Sequence, residues 1–135
     1  MKKLTSFAMR AVTCSGLSVQ KKSDIRLFLA LRLWISEKRY CDSRSVAEAA
    51  GQIGATPEQL SYFCSEVLGK TFRQLRKELR IREAERLLRR CPGMTLSKLG
   101  RSVGIPDRSD FRKQFIDVAG LSPGEWVLKR RKRRK

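Results

Sequence analysis

Apolar residues recur along most of the chain at the three- and four-residue spacing that places them on one face of a helix. The pattern is densest at residues 23–38, where Ser23 is suited to cap a helix and a wide apolar face is formed by Ile25, Phe28, Leu29, Leu33 and Trp34. This face predicts a helix wedged into the core. No segment shows the alternation of a half-buried strand, and runs rich in Leu, Arg and Ala favour helices. The chain is therefore predicted to be all-α.

Capping residues, prolines and glycines divide the remaining chain into further helices. Thr56 followed by Pro57 is an N-cap with proline at the first helical position, and the sequence "CPG" ends the longest periodic run. Glycines, which commonly end helices, follow the periodic runs at Gly54, Gly69, Gly104 and Gly120. Together these signals predict helices at residues 45–53, 56–68, 71–90, 95–103 and 107–119, and a last short helix that begins near Ser122 and carries Trp126.

The helices on either side of residues 71–90 form two copies of one pattern. The copies align at an offset of 50 and, after one inserted residue, of 51; the first set of matches pairs Val46, Ala50, Ile53 and Gly54 with Leu96, Gly100, Val103 and Gly104. The second set pairs Thr56, Leu60, Cys64, Gly69, Thr71 and Leu75 with Asp107, Phe111, Phe115, Gly120, Ser122 and Trp126. Each copy is a short helix, a glycine turn and a capped helix, which is the arrangement of a helix-turn-helix.

The predicted helix between the copies has a length that suits DNA. At ~1.5 Å rise per residue, its twenty residues span roughly 30 Å, close to the ~34 Å between successive major-groove segments on one face of the duplex. One monomer can therefore read two adjacent turns. The alternative is that two helical hairpins merely form a bundle.

The net charge of +18, from 31 Lys and Arg against 13 Asp and Glu, favours a polyanionic partner. Nucleic acid is the favoured partner, and an anionic membrane surface is the second candidate. The last seven residues, "KRRKRRK", are all basic and are predicted to be a disordered arm over phosphates, with a solubilising tail as the alternative. The predicted parts are a flexible lead-in at 1–22, helix-turn-helix subdomains at 23–70 and 91–128, a linker helix at 71–90 and the basic tail at 129–135.

Several classes of function are disfavoured by what the chain lacks. It contains no histidine, the commonest general base and metal ligand, so we predict no catalytic residue, no metal and no cofactor. The cysteines are far apart, without a C-x-x-C pair, and are expected to be reduced thiols: Cys14, Cys41, Cys64 and Cys91. No segment has the ~18 unbroken apolar residues of a membrane span, and Arg10 interrupts the apolar opening that resembles a secretory leader. A cytoplasmic protein at the nucleoid, without a membrane partner, is expected.

In the second copy, the capped helix is predicted to carry the base-reading face. Phe111 and Phe115, four residues apart, should point into the core, which leaves the groove face to Arg108, Ser109, Arg112 and Lys113. The arginines can present bidentate donors to guanine or clamp phosphate, and each good base contact is worth ~1–3 kcal/mol of discrimination. Asp110 can accept from cytosine N4 or position Arg108 or Lys113, and we favour positioning. The alternative for the whole face is an ordinary solvated helix surface.

The first copy carries a weaker reading face. Its exposed positions contain no lysine or arginine: Pro57, Glu58, Ser61, Tyr62 and Ser65. Ser61 and Tyr62 can hydrogen-bond bases or phosphate, while Glu58 is tolerable opposite a cytosine. Phosphate contacts are predicted for residues at loops and helix starts and for the tail, namely Thr56, Lys70, Thr71, Ser122, Lys129, Arg130 and Arg131.

The segments "RIREAERLL" (80–88) and "LSKLGRSVGIPDRSDFRKQFIDVAGLSP" (96–123) resemble the DNA-binding domain of AraC/XylS-type transcription regulators, and the resemblance spans about residues 24–127. It implies seven helices, two helix-turn-helix units joined by a long helix, and promoter binding. The expected partner is double-stranded DNA, bound by a monomer. A chain without a separate ligand-binding domain is similar to the small stand-alone activators of the family, which engage RNA polymerase directly.

Four positions are informative against the family pattern. Tyr62 stands where arginine is usual and Cys64 where a core phenylalanine is usual, which leaves open whether the first copy reads bases. Gly100 replaces an alanine and is expected to loosen its helix by ~1 kcal/mol. Arg80 matches a near-invariant arginine, and a structural role is expected for it.

Two other functions remain as alternatives. A non-specific nucleoid-associated or RNA-binding protein would explain the basic tail and the weak first copy. A cysteine-based DNA alkyl-transferase is disfavoured, because no histidine is present to activate a cysteine. We predict a non-enzymatic DNA-binding transcription regulator.

Overall fold

The structure is a computed structural model that describes residues 19–134. Within this range it contains seven α-helices and no strand: α1 Val19–Ser36, α2 Val46–Ile53, α3 Pro57–Phe63, α4 Phe72–Arg90, α5 Leu96–Ser102, α6 Arg108–Ala119 and α7 Pro123–Arg134. A 3-10 turn, Arg39–Cys41, follows α1, and a π-helical turn, Cys64–Leu68, extends α3. The all-α prediction is confirmed.

The described chain forms two compact units. The first contains residues 19–39 and 43–75, and the second contains residues 40–42 and 76–134. The boundary between them falls inside α4, so the predicted linker helix is one continuous helix whose first turn belongs to the first unit and whose remainder belongs to the second.

The core face of α1 is narrower than the sequence pattern predicts. Phe28 and Trp34 are buried as expected, and Leu31 joins them, whereas Leu29 and Leu33 are 51% and 59% exposed. The prediction that these two leucines belong to the core is therefore wrong. The helix packs against α2 and α3 through one side, and 100° per residue carries Leu29 and Leu33 to the opposite side.

Both ends of the described chain differ from the predicted parts. The first helix begins at Val19, inside the predicted lead-in, and residues 1–18 lie outside the described residues. The tail was predicted to be a disordered arm, but α7 continues through the basic run to Arg134. Lysine and arginine are good helix formers, and their charges are favourable near a helix C-terminus, so the run extends a helix that Trp126 already anchors.

The core of the second unit lies between α4 and the second helix-turn-helix. It consists of Ile81, Ala84, Leu88, Leu99, Val103, Ile105, Phe111 and Phe115. The rings of Phe111 and Phe115 lie 5.9 Å apart, and the indole of Trp126 meets Phe115 edge-on at 6.4 Å. The indole Nε1 of Trp126 also donates to Oε2 of Glu85 at 3.0 Å, so α7 is tied to α4 by packing and by a hydrogen bond.

Arg80 holds the part of the 3-10 turn that belongs to the second unit, at Tyr40 and Cys41. Its Nε donates to the carbonyl oxygen of Tyr40 at 2.8 Å, and burial, together with neighbouring Arg76, lowers the pKa of Arg80. Gly104 lies beside this contact at φ +88°, where a Cβ would come within 2.2 Å of the Cys41 carbonyl oxygen. These contacts support the structural role expected for Arg80.

Candidate nucleic-acid interface

Helix α6 is defined by local signals at both ends. The Asp107 side chain accepts from the backbone N–H of Asp110 at 2.7 Å, which satisfies one of the unpaired donors of the first turn. Gly120 ends the helix in the left-handed region at φ 81°, and its N–H donates to Ile116 O at 2.8 Å. Phe111 and Phe115 are fully buried and determine which side of α6 faces the core.

The predicted reading residues of α6 are all exposed, namely Arg108, Ser109, Arg112 and Lys113. At 100° per residue they occupy two neighbouring stripes. Ser109 and Lys113 lie at the middle of the exposed side, and Arg108 and Arg112 form its flank nearer the phenylalanines. We call these four residues the basic edge of α6.

The acidic residues of α6 lie on the other flank of its exposed side. Asp117 pairs with Lys77 of α4, and Asp110 is exposed in the first turn. Among the described residues Asp110 forms no ion pair, so the positioning contact that we favoured for it with Arg108 or Lys113 is not present. Arg108 lies about 160° away around the helix, which explains why the two side chains do not meet.

Helix α3 presents a neutral and acidic surface at the equivalent place in the first copy. A reciprocal capping box fixes its start: Thr56 Oγ1 accepts from Gln59 N at 3.1 Å, and Thr56 N donates to Gln59 Oε1 at 2.9 Å. The predicted reading residues Glu58, Ser61 and Tyr62 are all exposed, with Tyr62 at 52%.

The core side of α3 contains an aromatic residue that the repeat alignment did not identify. Phe63 is fully buried beside Cys64, which occupies the position matched by Phe115 in the second copy. Phe63 thus supplies the aromatic volume one residue earlier. Its large apolar side chain beside the small Cys64 was the signal in the sequence. Burial raises the pKa of the Cys64 thiol to about 11.

The predicted phosphate contacts at helix starts are partly engaged within the chain. Thr71 repeats the capping box of Thr56, here with Gln74 at 3.0 and 3.1 Å, so both threonine backbone N–H groups are already bonded. Each threonine hydroxyl oxygen accepts a hydrogen bond from the backbone N–H of that glutamine, and its own proton remains available to donate to phosphate. Ser122 donates its hydroxyl proton to Glu125 Oε1 at 2.8 Å, and it reaches phosphate only if that bond exchanges.

The basic candidates differ in exposure. Lys129 and Arg131 are exposed, whereas Lys70 is half-buried. Arg130 is half-buried because its guanidinium lies over the Trp126 ring, 5.2 Å from the ring centroid. Of the three phosphate contacts predicted in the tail, two are therefore exposed basic residues, and the third, Arg130, is stacked on Trp126 of its own helix.

Some of the arginines of α4, which were expected to attract DNA, have carboxylate partners. Glu83 accepts from Arg86 at 2.6 and 2.9 Å, and Glu85 accepts from Arg82 at 2.6 Å. Both glutamates are buried, which the sequence pattern did not predict. The hydrogen bond to Glu83 raises the pKa of Arg86. These pairs neutralise part of the positive charge of α4.

Two further properties concern ligands and membranes. Across residues 19–134, no group of three or more cysteine, aspartate and glutamate side chains is placed to hold a metal ion. In the same range, no helix is long and apolar enough to cross a bilayer.

Comparison with known proteins places these features in a family. A family model described as a helix-turn-helix domain matches residues 49–130. The arabinose operon regulatory protein of Escherichia coli K12 is 29% identical over 123 residues, and that of Salmonella typhimurium LT2 is 31% identical over the same length. Each match covers 91% of this chain but only 41% and 43% of the relatives, so the chain spans about four-tenths of their length.

Solved structures share the fold at lower identity. An AraC-type DNA-binding regulator from Chromobacterium violaceum has a TM-score of 0.67 at 21% identity, over 78% of this chain and 91% of that one. The C-terminal domain of AraT, a response regulator from Geobacillus stearothermophilus, has a TM-score of 0.67 at 22% identity, over 85% and 88%. The family match, the two helix-turn-helix copies and the shared fold have one explanation: this chain belongs to the AraC-type helix-turn-helix family of DNA-binding transcription regulators.

Proposed function

We propose that the chain is a sequence-specific activator that inserts α6 into the major groove of double-stranded DNA. The observation that carries this proposal is the basic edge of α6, whose residues Arg108, Ser109, Arg112 and Lys113 are all exposed, whereas Phe111 and Phe115 of the same helix are buried. An α-helix fits the major groove, and arginine pairs bidentately with guanine O6 and N7. The N-terminus of α6 adds attraction for phosphate.

The two copies have different roles in this proposal. Helix α3 enters the neighbouring groove segment, where Ser61 and Tyr62 donate to bases or phosphate and Glu58 faces a cytosine or lies away from the backbone. Phosphate contacts come from the hydroxyls of Thr56, Thr71 and Ser122 and from Lys70 and the basic residues of α7. Most discrimination between DNA bases therefore comes from α6, and α3 mainly adds affinity that does not depend on the base sequence.

Because each chain already carries two helix-turn-helix units, it binds as a monomer. The resemblance to AraC/XylS-type transcription regulators supports contact with RNA polymerase and a location at the cytoplasmic nucleoid. The activating role rests on that resemblance alone.

Arg112→Ala tests base reading. We expect the affinity for a selected site to fall by ~1–3 kcal/mol, while binding to random duplex changes much less. Arg90→Ala is the matched control, since Arg90 is also an exposed helical arginine but lies in the last turn of α4. Equal losses on both duplexes for Arg112→Ala would show that this side chain holds phosphate and does not read a base.

The alternative is a non-specific nucleoid or RNA-binding protein. It is favoured by the absence of lysine and arginine from the exposed side of α3. Selection from a random duplex pool separates the two functions. A specific regulator enriches a defined site and prefers it by ~10³ or more at physiological salt. Two half-sites about one turn, or ~10 base pairs, apart would mean that both α3 and α6 read DNA bases. A single half-site would mean that α3 contributes affinity without reading bases. A pool without enrichment would support the alternative.

A further inference from the structure

A shallow pocket of about 30 Å³ in the second unit is lined by apolar side chains and by three arginines. It is formed by the end of α4, the turn after it and α7. The apolar lining residues are Leu88, Pro92, Trp126 and Val127, and the arginines are Arg89, Arg130 and Arg131. We call this feature the arginine pocket. Its volume is that of roughly two water molecules, so it admits one small group.

The charges around the arginine pocket are not balanced within the described chain. Arg82 and Arg86, which lie earlier on α4, each pair with a glutamate. In contrast, across residues 21–133 no carboxylate forms an ion pair with Arg89, Arg130 or Arg131. Three arginines that line one pocket and have no carboxylate paired with them attract an anion.

The pocket is also held in place before any ligand binds. Arg130 stacks on Trp126 at 5.2 Å, and Trp126 is fixed by its hydrogen bond to Glu85 at 3.0 Å and by its contact with the Phe115 ring. A guanidinium stacked in this way has given up part of its rotational freedom already, so less entropy is lost when it binds an anion.

Two groups oppose an anion at this place. The carbonyl end of α4 carries roughly half a negative charge, and Glu85 lies behind Trp126. Glu85 is largely neutralised by its pair with Arg82. Three full positive charges exceed the remaining negative charge, so the balance still favours an anion.

We propose that the arginine pocket binds a phosphate group. Phosphate has several acceptor oxygens in a tetrahedral arrangement, so Arg89, Arg130 and Arg131 can each donate to it at once, and guanidinium–phosphate bonds are among the stronger hydrogen bonds of proteins. The phosphate comes either from the DNA backbone, in which case the inference rests on the proposed function, or from a free phosphate or phosphorylated small molecule.

Titration of the full chain with inorganic phosphate tests the pocket, with chloride used to keep the ionic strength constant. Binding is followed by calorimetry and by the phosphorus NMR line width of phosphate. We compare the wild type with Arg89→Gln and Arg90→Gln. Both arginines lie in the last turn of α4 and both variants lose one charge there, but only Arg89 lines the pocket.

We expect saturable phosphate binding by the wild type, about tenfold weaker binding by Arg89→Gln, and a change within about twofold for Arg90→Gln. Circular dichroism of each variant checks that α4 is intact. If wild-type binding does not saturate, or if both variants lose affinity equally, the pocket is only part of a diffuse positive surface and the inference is overturned.

The same three proteins on a short duplex identify the source of the phosphate. If the source is the DNA backbone, phosphate displaces the duplex more than chloride does at equal ionic strength, and Arg89→Gln weakens duplex binding more than Arg90→Gln. If the source is a free anion, Arg89→Gln affects only the phosphate titration. A wild type that binds phosphate but no duplex would contradict the proposed function and leave the arginine pocket standing.

Discussion

Gly100 shows how a close contact can oppose a helix propensity. Its equivalent in the first copy is Ala50, which is fully buried in α2. At Gly100, however, a Cβ would lie 2.4 Å from the carbonyl oxygen of Ile105 and 3.3 Å from Phe111. The sequence alone predicts that glycine merely loosens α5. The structure adds that glycine permits the turn to pass close to the helix, so here it has a packing role.

We therefore expect Gly100→Ala to lower the free energy of unfolding by ~1–3 kcal/mol, since the turn or Phe111 must move. Gly51→Ala in α2 is the matched control, because a Cβ there has nothing within 4 Å. It should stabilise the protein by ~0.5–1 kcal/mol through helix propensity. Urea denaturation of both variants measures the effect. A stabilisation by Gly100→Ala similar to that of Gly51→Ala would contradict the close contact.

At the scale of the element, α3 and α6 are built from the same local signals but present different surfaces. Both begin at a capping side chain, and both are followed by a left-handed glycine thirteen residues after that cap. Sequence reasoning located these ends closely because caps and glycine stops act within one turn. It did not predict the π-helical turn Cys64–Leu68 or the buried Phe63, since both depend on how the core side of α3 packs.

The cap of α6 should matter for both stability and DNA binding. Asp107→Ala removes the acceptor for Asp110 N, so we expect a loss of ~1 kcal/mol in the free energy of unfolding. DNA affinity should fall as well, because the basic edge begins at the first residue of α6.

Asp107→Asn is the control for that variant, since asparagine caps about as well as aspartate but carries no charge. It should retain most of the stability and bind DNA at least as tightly as the wild type. The measurements are thermal denaturation and duplex titration. If the asparagine and alanine variants are equally unstable, the charge of Asp107, and not its capping bond, is what stabilises α6.

At the scale of the whole molecule, the net charge of +18 dominates the expected behaviour with DNA. Deleting the basic tail would also remove the contact of Arg130 with Trp126. Substitution of the exposed basic residues is therefore a cleaner test of whether the tail contacts DNA. The variant with Lys129, Lys132 and Arg133 changed to Gln should bind all duplexes more weakly by a similar factor. The slope of log affinity against log salt should become shallower by ~0.9 for each DNA phosphate that the variant no longer neutralises.

The matched control changes three exposed basic residues of α1 to Gln, namely Lys22, Arg26 and Arg32. The net charge falls equally in the two variants, so a local phosphate contact by the tail would change the salt slope only in the first. Fluorescence titrations at several salt concentrations supply the slopes. Equal slopes for the two variants would refute the tail as a DNA-contacting segment and leave it a general source of positive charge.

The sequence by itself determined the properties that arise from neighbouring residues along the chain. Capping side chains, glycine stops and the helical spacing of apolar residues defined the helices, their repeat and the family resemblance, because each of these signals acts over a few residues. The exposure of Ser109 and Lys113 also followed from the spacing of Phe111 and Phe115. Only the tertiary structure decided which apolar residues are covered, since that depends on the neighbours that pack on each helix. It left Leu29 and Leu33 exposed, brought Ile105 against Gly100 and placed Arg89, Arg130 and Arg131 in the lining of one pocket.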